Sequence, residues 1–342
     1  LMITAEPVVN QTEGTLSSWD DAQLFWRAWE PVERKLSHAI ILLHRGHEHS
    51  SRLQRLIDEL DMPDIPFYAY DMRGHGHSEG ERGYADNYDV WIRDLDAFVH
   101  WVKKRTGLKD QNLVIIGNSV GAVTACAWIH TYGAKIGSLV LAAPAFRIRL
   151  YVPFAIPGLR FLHAIRPRSF VKSYVRSSML THDIGEAKAY DSDPLITRNI
   201  AVSVLLGLHD RGRQLVEYAS EITTPIMLLS AGKDYVVDTR SQKQFFEHLG
   251  SETKAWHDYP DCFHALLYES NANQILAKAR HFIEQSFANA PTVAANTAQS
   301  HQNYQNLLHK PSLAAKASAL AQQLMLKTVG RLSKGIQTGW KT

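Results

Sequence analysis

Two resources are scarce in this chain, sulfur and long apolar runs. Its 342 residues include only two cysteines, Cys126 and Cys262, too few for a disulfide framework, and both read as small buried apolar side chains. No stretch approaches the roughly 20 apolar residues of a membrane-spanning helix. The opening LMITAEPVVNQTEG lacks the basic and apolar regions of a secretory signal, so the expected location is cytoplasmic. There is no internal repeat and no glycine-rich nucleotide-binding segment, and no cofactor is expected.

Acid is missing from the tail. The last acidic residue is Glu284, and Lys310, Lys316, Lys327, Arg331, Lys334 and Lys341 follow it. Residues 1–284 hold 31 basic against 34 acidic side chains. That shift puts a boundary near residue 289, with NAPTVAANTAQSHQNYQN as linker and a short amphipathic helix carrying Leu313, Ala317, Leu320 and Leu324 beyond it. Aromatic interleaving beyond Tyr304 and Trp340 is absent from the basic tail, so nucleic acid is not an expected partner.

At 45% hydrophobic the chain can bury a large core. Apolar runs at 38–44, 66–74, 112–118, 137–145, 225–234 and 254–261 alternate with helical patterns, and GTLSSWDDAQLFWRAWEP reads as an opening hairpin at the sheet edge. Near-continuous apolar runs suit strands buried on both faces, so the expectation is an α/β fold with a mostly parallel sheet and helices on both faces. The core is expected over 1–145 and 221–288, with 289–342 as the basic linker and terminal helix. Between them, residues 146–220 break the rhythm: the gap is too long for one crossover helix and predicts a helical cap. Its first part carries Arg147, Arg149, Arg160, Arg166, Arg168, Lys172 and Arg176 with no acid until Asp183. Apolar residues are interleaved, and this is the pattern either of a solvated basic face or of a lid that rests on an anionic membrane surface.

The chemistry centres on NLVIIGNSVGAVTACAW, residues 112–128. A serine hydroxyl is a weak nucleophile unless a base takes its proton and donors await the oxyanion, so it must protrude at a sharp turn. Gly117-Asn118-Ser119-Val120-Gly121 between a buried strand and a helix has the form of a nucleophile elbow. Asp234 follows the fifth apolar run and His264 follows the last. Strand ends on the carboxyl side of a parallel sheet share one crevice, so Ser119, Asp234 and His264 can converge as nucleophile, orienting carboxylate and general base. Asp238 and Asp261 are competing carboxylates; Asp234 is preferred for its place at the strand end.

With these residues in view, the chain resembles the monoglyceride lipase and lysophospholipase group of α/β-hydrolases over about residues 14–288. HRGHEHSSR is similar to the group's His-Gly-x-Gly-Glu-His segment, DMRGHGHSEGERGYADNYDVWIRDLDAF to its segment after the fourth strand, and GNSVGA stands for Gly-His-Ser-Met-Gly-Gly. The resemblance implies an α/β-hydrolase fold with a helical cap, and an oxyanion hole from the backbone N–H groups of Gly46 and Val120. His44, Arg45, Asn118, Phe146, Tyr151 and Phe154 are the candidate substrate-binding residues. Three departures stand out: Arg45 for glycine, Asn118 for histidine and HALL for His-Glu-Leu. Arg45 matters most, since its side chain tolerates fewer backbone conformations than glycine. The segment from Ser173 and the closing RLSKGIQTGW also resemble bacterial chains in which such a hydrolase is fused to a C-terminal methyltransferase.

His44, His47, His49, His75 and His77 crowd two loops, yet their spacing matches no zinc signature and no metal is expected; His44 and His75 read as loop-fixing groups. The expected activity is that of a serine ester hydrolase cleaving the acyl ester of a monoacylglycerol or lysophospholipid through an acyl-enzyme. The alternatives are a peptidase of proline iminopeptidase type, which would share fold and triad, and a non-catalytic lipid-binding module of a fusion protein. Nothing in the sequence speaks to oligomeric state.

Overall fold

The computed structural model describes residues 9–32 and 36–289. The basic tail and its expected helix lie outside the described residues. Eight strands form one sheet: β1 (Val9–Ser17), β2 (Gln23–Pro31), β3 (Ala39–Leu43), β4 (Phe67–Tyr70), β5 (Leu113–Asn118), β6 (Ser138–Ala142), β9 (Ile226–Ala231) and β10 (Lys254–Tyr259). Between β6 and β9 the chain makes α4 (Ala155–Ile165), β7 (Phe170–Lys172), α5 (Ile184–Ser192), β8 (Asn199–Ala201) and α6 (Val202–Glu217). The other helices are α1 (Gln54–Leu60), α2 (Asp89–Thr106), α3 (Val120–Tyr132), α7 (Thr239–His248) and α8 (Ala272–Ala288).

The sheet order is β1-β2-β4-β3-β5-β6-β9-β10. The hairpin β1–β2 joins antiparallel at one edge, and the strands from β4 to β10 run parallel. AIILL, LVIIGN, SLVLA and IMLLSA are buried at every position, as unbroken apolar runs must be when helices cover both faces. Right-handed crossovers explain that cover. The step β3→α1→β4 moves toward the hairpin, whereas those through α2, α3 and α7 move the other way, so α1 lies on one face and the other three on the opposite one. In keeping with this, α8 packs on α1 and α2 on α3. Helix α2 buries Val90, Leu95, Phe98 and Val102 along one stripe and ends at Gly107, whose φ of 72° lets its N–H close back on Lys103.

A buried polar knot fixes the loop after β4. Asp94 of α2 accepts from Ser18 Oγ (2.6 Å) and from Arg73 Nε (3.0 Å), and Asp71 accepts from the backbone N–H groups of Ser50 (2.6 Å) and His77 (2.8 Å). These bonds tie the hairpin, the loop after β3 and the loop after β4 into one platform.

The segment inserted between β6 and β9 is not purely helical. β7 and β8 pair antiparallel in a separate two-stranded ribbon, too short for sequence periodicity to reveal. Charge ties the segment to the core. Arg52 pairs with Glu186, His49 Nε2 lies 2.9 Å from Asp193, and Arg55 lies 3.0 Å from Asp183. Among the described residues no helix is long and apolar enough to cross a membrane.

Candidate active site

Ser119 sits between β5 and α3 with φ 54° and ψ −109°, a conformation a residue with a Cβ adopts only under strain. The flanking glycines answer a different need from the one the sequence suggested. Neither has a positive φ among the described backbone. A Cβ on Gly117 would lie 2.6 Å from Ala122 Cα, and one on Gly121 would lie 2.7 Å from the carbonyl oxygens of Leu43 and His44. The glycines let helix and strands close around the turn, and Ser119 itself carries the strain. That strain lifts its hydroxyl toward His264.

His264 follows β10, and Asp234 follows β9. Both are buried. The Asp234 carboxylate accepts from the N–H groups of Val236 (2.7 Å) and Val237 (2.8 Å) at Oδ1, which leaves Oδ2 for His264 Nδ1 at 2.7 Å. With a carboxylate at Nδ1 the ring carries its proton there. Nε2 is thus free to accept from the Ser119 hydroxyl, 2.8 Å away. The rival carboxylates are occupied elsewhere: Asp238 caps α7 and grips Arg240, and Asp261 is exposed and pairs with Lys233.

Ser119 and His264 open onto a cavity of about 440 Å³, walled chiefly by apolar side chains, among them Leu150, Leu159, Leu162, Leu205 and Leu208. Gly46 and Val120 line it beside Ser119. A Cβ on Gly46 would meet Val120 Cγ2 at 3.1 Å, so Gly46 packs directly against the Val120 side chain. No group among the described residues takes up the N–H of either. Two N–H groups without a partner beside the Ser119 hydroxyl are the candidates to receive an oxyanion.

Of the six candidate substrate-binding residues, Arg45 lines this cavity and the other five do not. His44 is wholly buried, with Nδ1 2.7 Å from the Arg45 carbonyl and Nε2 accepting from the Met72 N–H at 3.0 Å, so both ring nitrogens hold loops. Asn118 is buried outside the cavity lining, and Phe146 packs on Phe245 in the core. Tyr151 and Phe154 are exposed and flank a separate open groove. In their place the wall comes from α4 and α6. Ala155, Leu159 and Leu162 fall at helical spacing, a signal readable as a face but not as a face turned toward Ser119.

Arg45 also answers the worry about its bulk. Its backbone avoids the left-handed region, and the strained residue of the loop is His47, at φ 74°. The guanidinium lies over the Tyr268 ring and donates from Nε to Glu48 at 2.9 Å. Burial alone would raise the Glu48 carboxyl, but Arg45 and Arg52 outweigh it and hold it at about 2. Burial lowers the histidines nearby, His75 to about 3 and His47 to about 4. Among the described residues no set of three or more His, Cys, Asp or Glu side chains could hold a metal ion.

Comparison with known proteins gives concordant matches. The family profile described as "Serine aminopeptidase, S33" matches residues 34–271. A protein of Escherichia coli (strain K12) described as uncharacterized protein YnbC is 43% identical over 270 residues, which are 79% of this chain and 46% of that protein. The chain therefore spans less than half the length of this relative. Monoglyceride lipase of Mus musculus is 27% identical over 296 residues, 84% of this chain and 95% of its own. A soluble variant of monoglyceride lipase from Saccharomyces cerevisiae, solved in complex with a substrate analog, superposes with a TM-score of 0.69 at 18% identity, covering 85% of this chain and 97% of that one.

Proposed function

The chain belongs to the serine aminopeptidase (S33) family of α/β-hydrolases, and from that premise we propose that it is a serine ester hydrolase acting on a single-chain acyl lipid, a monoacylglycerol or a lysophospholipid. The observation that carries this reading is the connected line Ser119–His264–Asp234 at the wall of a largely apolar cavity. Residues 1–145 and 221–288 then form the catalytic core, and 146–220 the lid.

In the proposed reaction His264 Nε2 takes the Ser119 proton as Oγ attacks the ester carbonyl. The N–H groups of Gly46 and Val120 receive the oxyanion, a contribution worth about 10²–10³ in turnover per donor in comparable enzymes. Asp234 keeps the imidazole oriented and stabilises its charged form. Collapse of the tetrahedral species expels the alcohol, protonated by His264, and leaves an acyl-Ser119. Water deprotonated by the same imidazole releases the fatty acid.

The cavity lining argues against an aminopeptidase. Among the residues lining it there is no Asp or Glu, so a substrate ammonium group would enter without a carboxylate partner. It also argues against a purely non-catalytic module, which has no use for a hydroxyl held in a strained conformation against an imidazole. Labelling of the intact chain with a fluorophosphonate probe, lost in Ser119→Ala, is the expected result. An unlabelled wild type would remove the reading. Faster cleavage of proline p-nitroanilide than of a medium-chain p-nitrophenyl ester would favour the peptidase.

A membrane-facing role for the lid rests on a separate observation. Val152, Phe154, Phe161 and Ile165 are exposed on and before α4, and Arg147, Arg160, Arg166 and Arg168 stand in the same segment. Apolar side chains that enter the headgroup region, ringed by cations, would bring the cavity to its lipid at an anionic surface.

A further inference from the structure

We propose that His47 selects the leaving alcohol, its ring forming a hydrogen-bonding subsite for a hydroxyl group on the alcohol half of the ester. The assignment rests on the ester-hydrolase reading above and says which part of the cavity takes which half of the substrate.

Backbone geometry gives the first argument. His47 holds φ at 74°, in the left-handed region that glycine enters freely and a residue with a Cβ enters at a cost. Strain of this kind persists where the surroundings over-determine it, and it clusters at sites that handle ligands. The position is one such site. His47 directly follows Gly46 and lines the same cavity as Ser119 and His264. Its ring stands within one residue's reach of the proposed oxyanion donor.

The surroundings of the ring give the second argument. The Thr197 backbone, in the segment between β6 and β9, lies beside it, and His75 lines the same cavity. Burial keeps His47 neutral at physiological pH. A neutral imidazole has one donor and one acceptor, and no side chain among the described residues takes up either, so the ring can meet a ligand hydroxyl. A hydroxyl, which can donate or accept, suits either tautomer.

The distribution of polarity around the cavity gives the third. Leu159 and Leu162 of α4 and Leu205 and Leu208 of α6 make one part of the wall wholly apolar. Polar lining stands apart from those leucines: Asn199, paired with Lys172 in the β7–β8 ribbon, packs its carbonyl against Gly83 of the loop that also carries His75, and His47 lines the same cavity. An ester between a fatty acid and a polyol has the same division. The acyl chain fits the leucines, and the alcohol falls to the histidine end.

The test compares two esters that share an acyl chain, glycerol monolaurate and ethyl laurate, on the full chain and on His47→Gly and His47→Asn. Glycine relieves the strained φ, so His47→Gly should fold with an unchanged or higher Tm. It should lower selectivity for the glycerol ester, the ratio of the two kcat/KM values, about tenfold or more, because a site built around a hydroxyl discriminates by that contact. His47→Asn tolerates positive φ and keeps a donor and an acceptor, so it should retain part of the selectivity. An equal loss on both esters would mean that the ring only holds the loop and would overturn the assignment, as would an unchanged ratio. Absence of hydrolysis of either ester by the wild-type chain would overturn the ester-hydrolase reading and the assignment with it.

Discussion

The imidazole of His264 approaches Ser119 across 145 positions of sequence, with Nε2 2.8 Å from Oγ. Ser119 meets it from a backbone conformation that glycine would hold more easily. Activity and stability should therefore part at this position. Ser119→Gly should lose turnover by about a factor of 10⁵ or more. Its folding stability should stay level or rise by up to about 1 kcal/mol, because the strained φ is relieved. Active-site labelling and thermal melts on the same preparation check both; a clear loss of Tm would show that the strain assignment is wrong.

Asp234 should be separable from its rivals by chemistry alone. In Asp234→Asn the side-chain oxygen can still accept from Val236 and Val237, so the loop is kept, but the imidazolium loses its counter-charge and correct tautomer. A fall in kcat of about 10⁴ is expected, as in other enzymes with this arrangement. Asp261→Asn, at an exposed ion pair with Lys233, should leave kcat within about threefold and stability within about 0.5 kcal/mol. Comparable losses in the two variants would contradict the geometry.

Gly121→Ala tests the close packing behind the elbow. The added methyl would stand 2.7 Å from two carbonyl oxygens of the β3 end and 2.8 Å from Leu43 Cβ, and backbone cannot yield there as a flexible side chain would. Urea denaturation should register a loss of about 1–3 kcal/mol. Turnover should fall too, since the β3 end leads directly into the loop bearing Gly46. A neutral result would mean that the loop is softer than its contacts imply.

The buried imidazoles set an acid limit. His75 and His47 have folded pKa values of about 3 and 4, below the ordinary 6.5, because burial disfavours their charged forms. Below pH 6.5 the unfolded chain takes up protons that the native state refuses. Stability is therefore present above that pH and declines as pH falls toward 4 and 3, by up to about 1.4 kcal/mol per pH unit for each such group. Glu48, held at about 2 against 4.5, adds its own loss below about pH 4.5. Denaturant midpoints at pH 7, 6 and 5 should fall in order, and His75→Gln should flatten the pH 7 to 5 portion.

Leu159→Trp should shorten the acyl preference. Leu159 lines the cavity from α4, and an indole there would fill space that a long chain needs. The ratio of kcat/KM for p-nitrophenyl palmitate over the butyrate should drop at least about tenfold. Equal effects on both chain lengths would remove α4 from the acyl-binding wall.

Much of the fold was legible because it is written locally. AIILL, LVIIGN and IMLLSA announce strands with both faces covered, and Val90, Leu95, Phe98 and Val102 announce the stripe of α2. The segment between β6 and β9 was less legible. The ribbon of β7 and β8 has three residues per strand, below the length at which alternation means anything. The candidates Phe146, Tyr151 and Phe154 lie off the cavity wall: Phe146 is buried in the core and the other two are exposed. An apolar side chain gains from burial against any apolar surface, so its type does not say which one.

From the sequence alone come the strand–turn–helix around Ser119, the order Ser, Asp, His, and carboxyl-side strand ends that share one crevice. Those follow from periodicity, glycine spacing and the handedness of crossovers, which act over a few residues or one connection. The tertiary structure alone decides that a positive φ falls on Ser119 and His47 rather than on Gly117, Gly121 or Arg45, that the Asp234 carboxylate reaches His264 while Asp238 and Asp261 pair with Arg240 and Lys233, and that leucines of α4 and α6 wall the cavity. The reason is reach: each depends on how residues far apart in the chain come together in space, and no pattern along the chain encodes that.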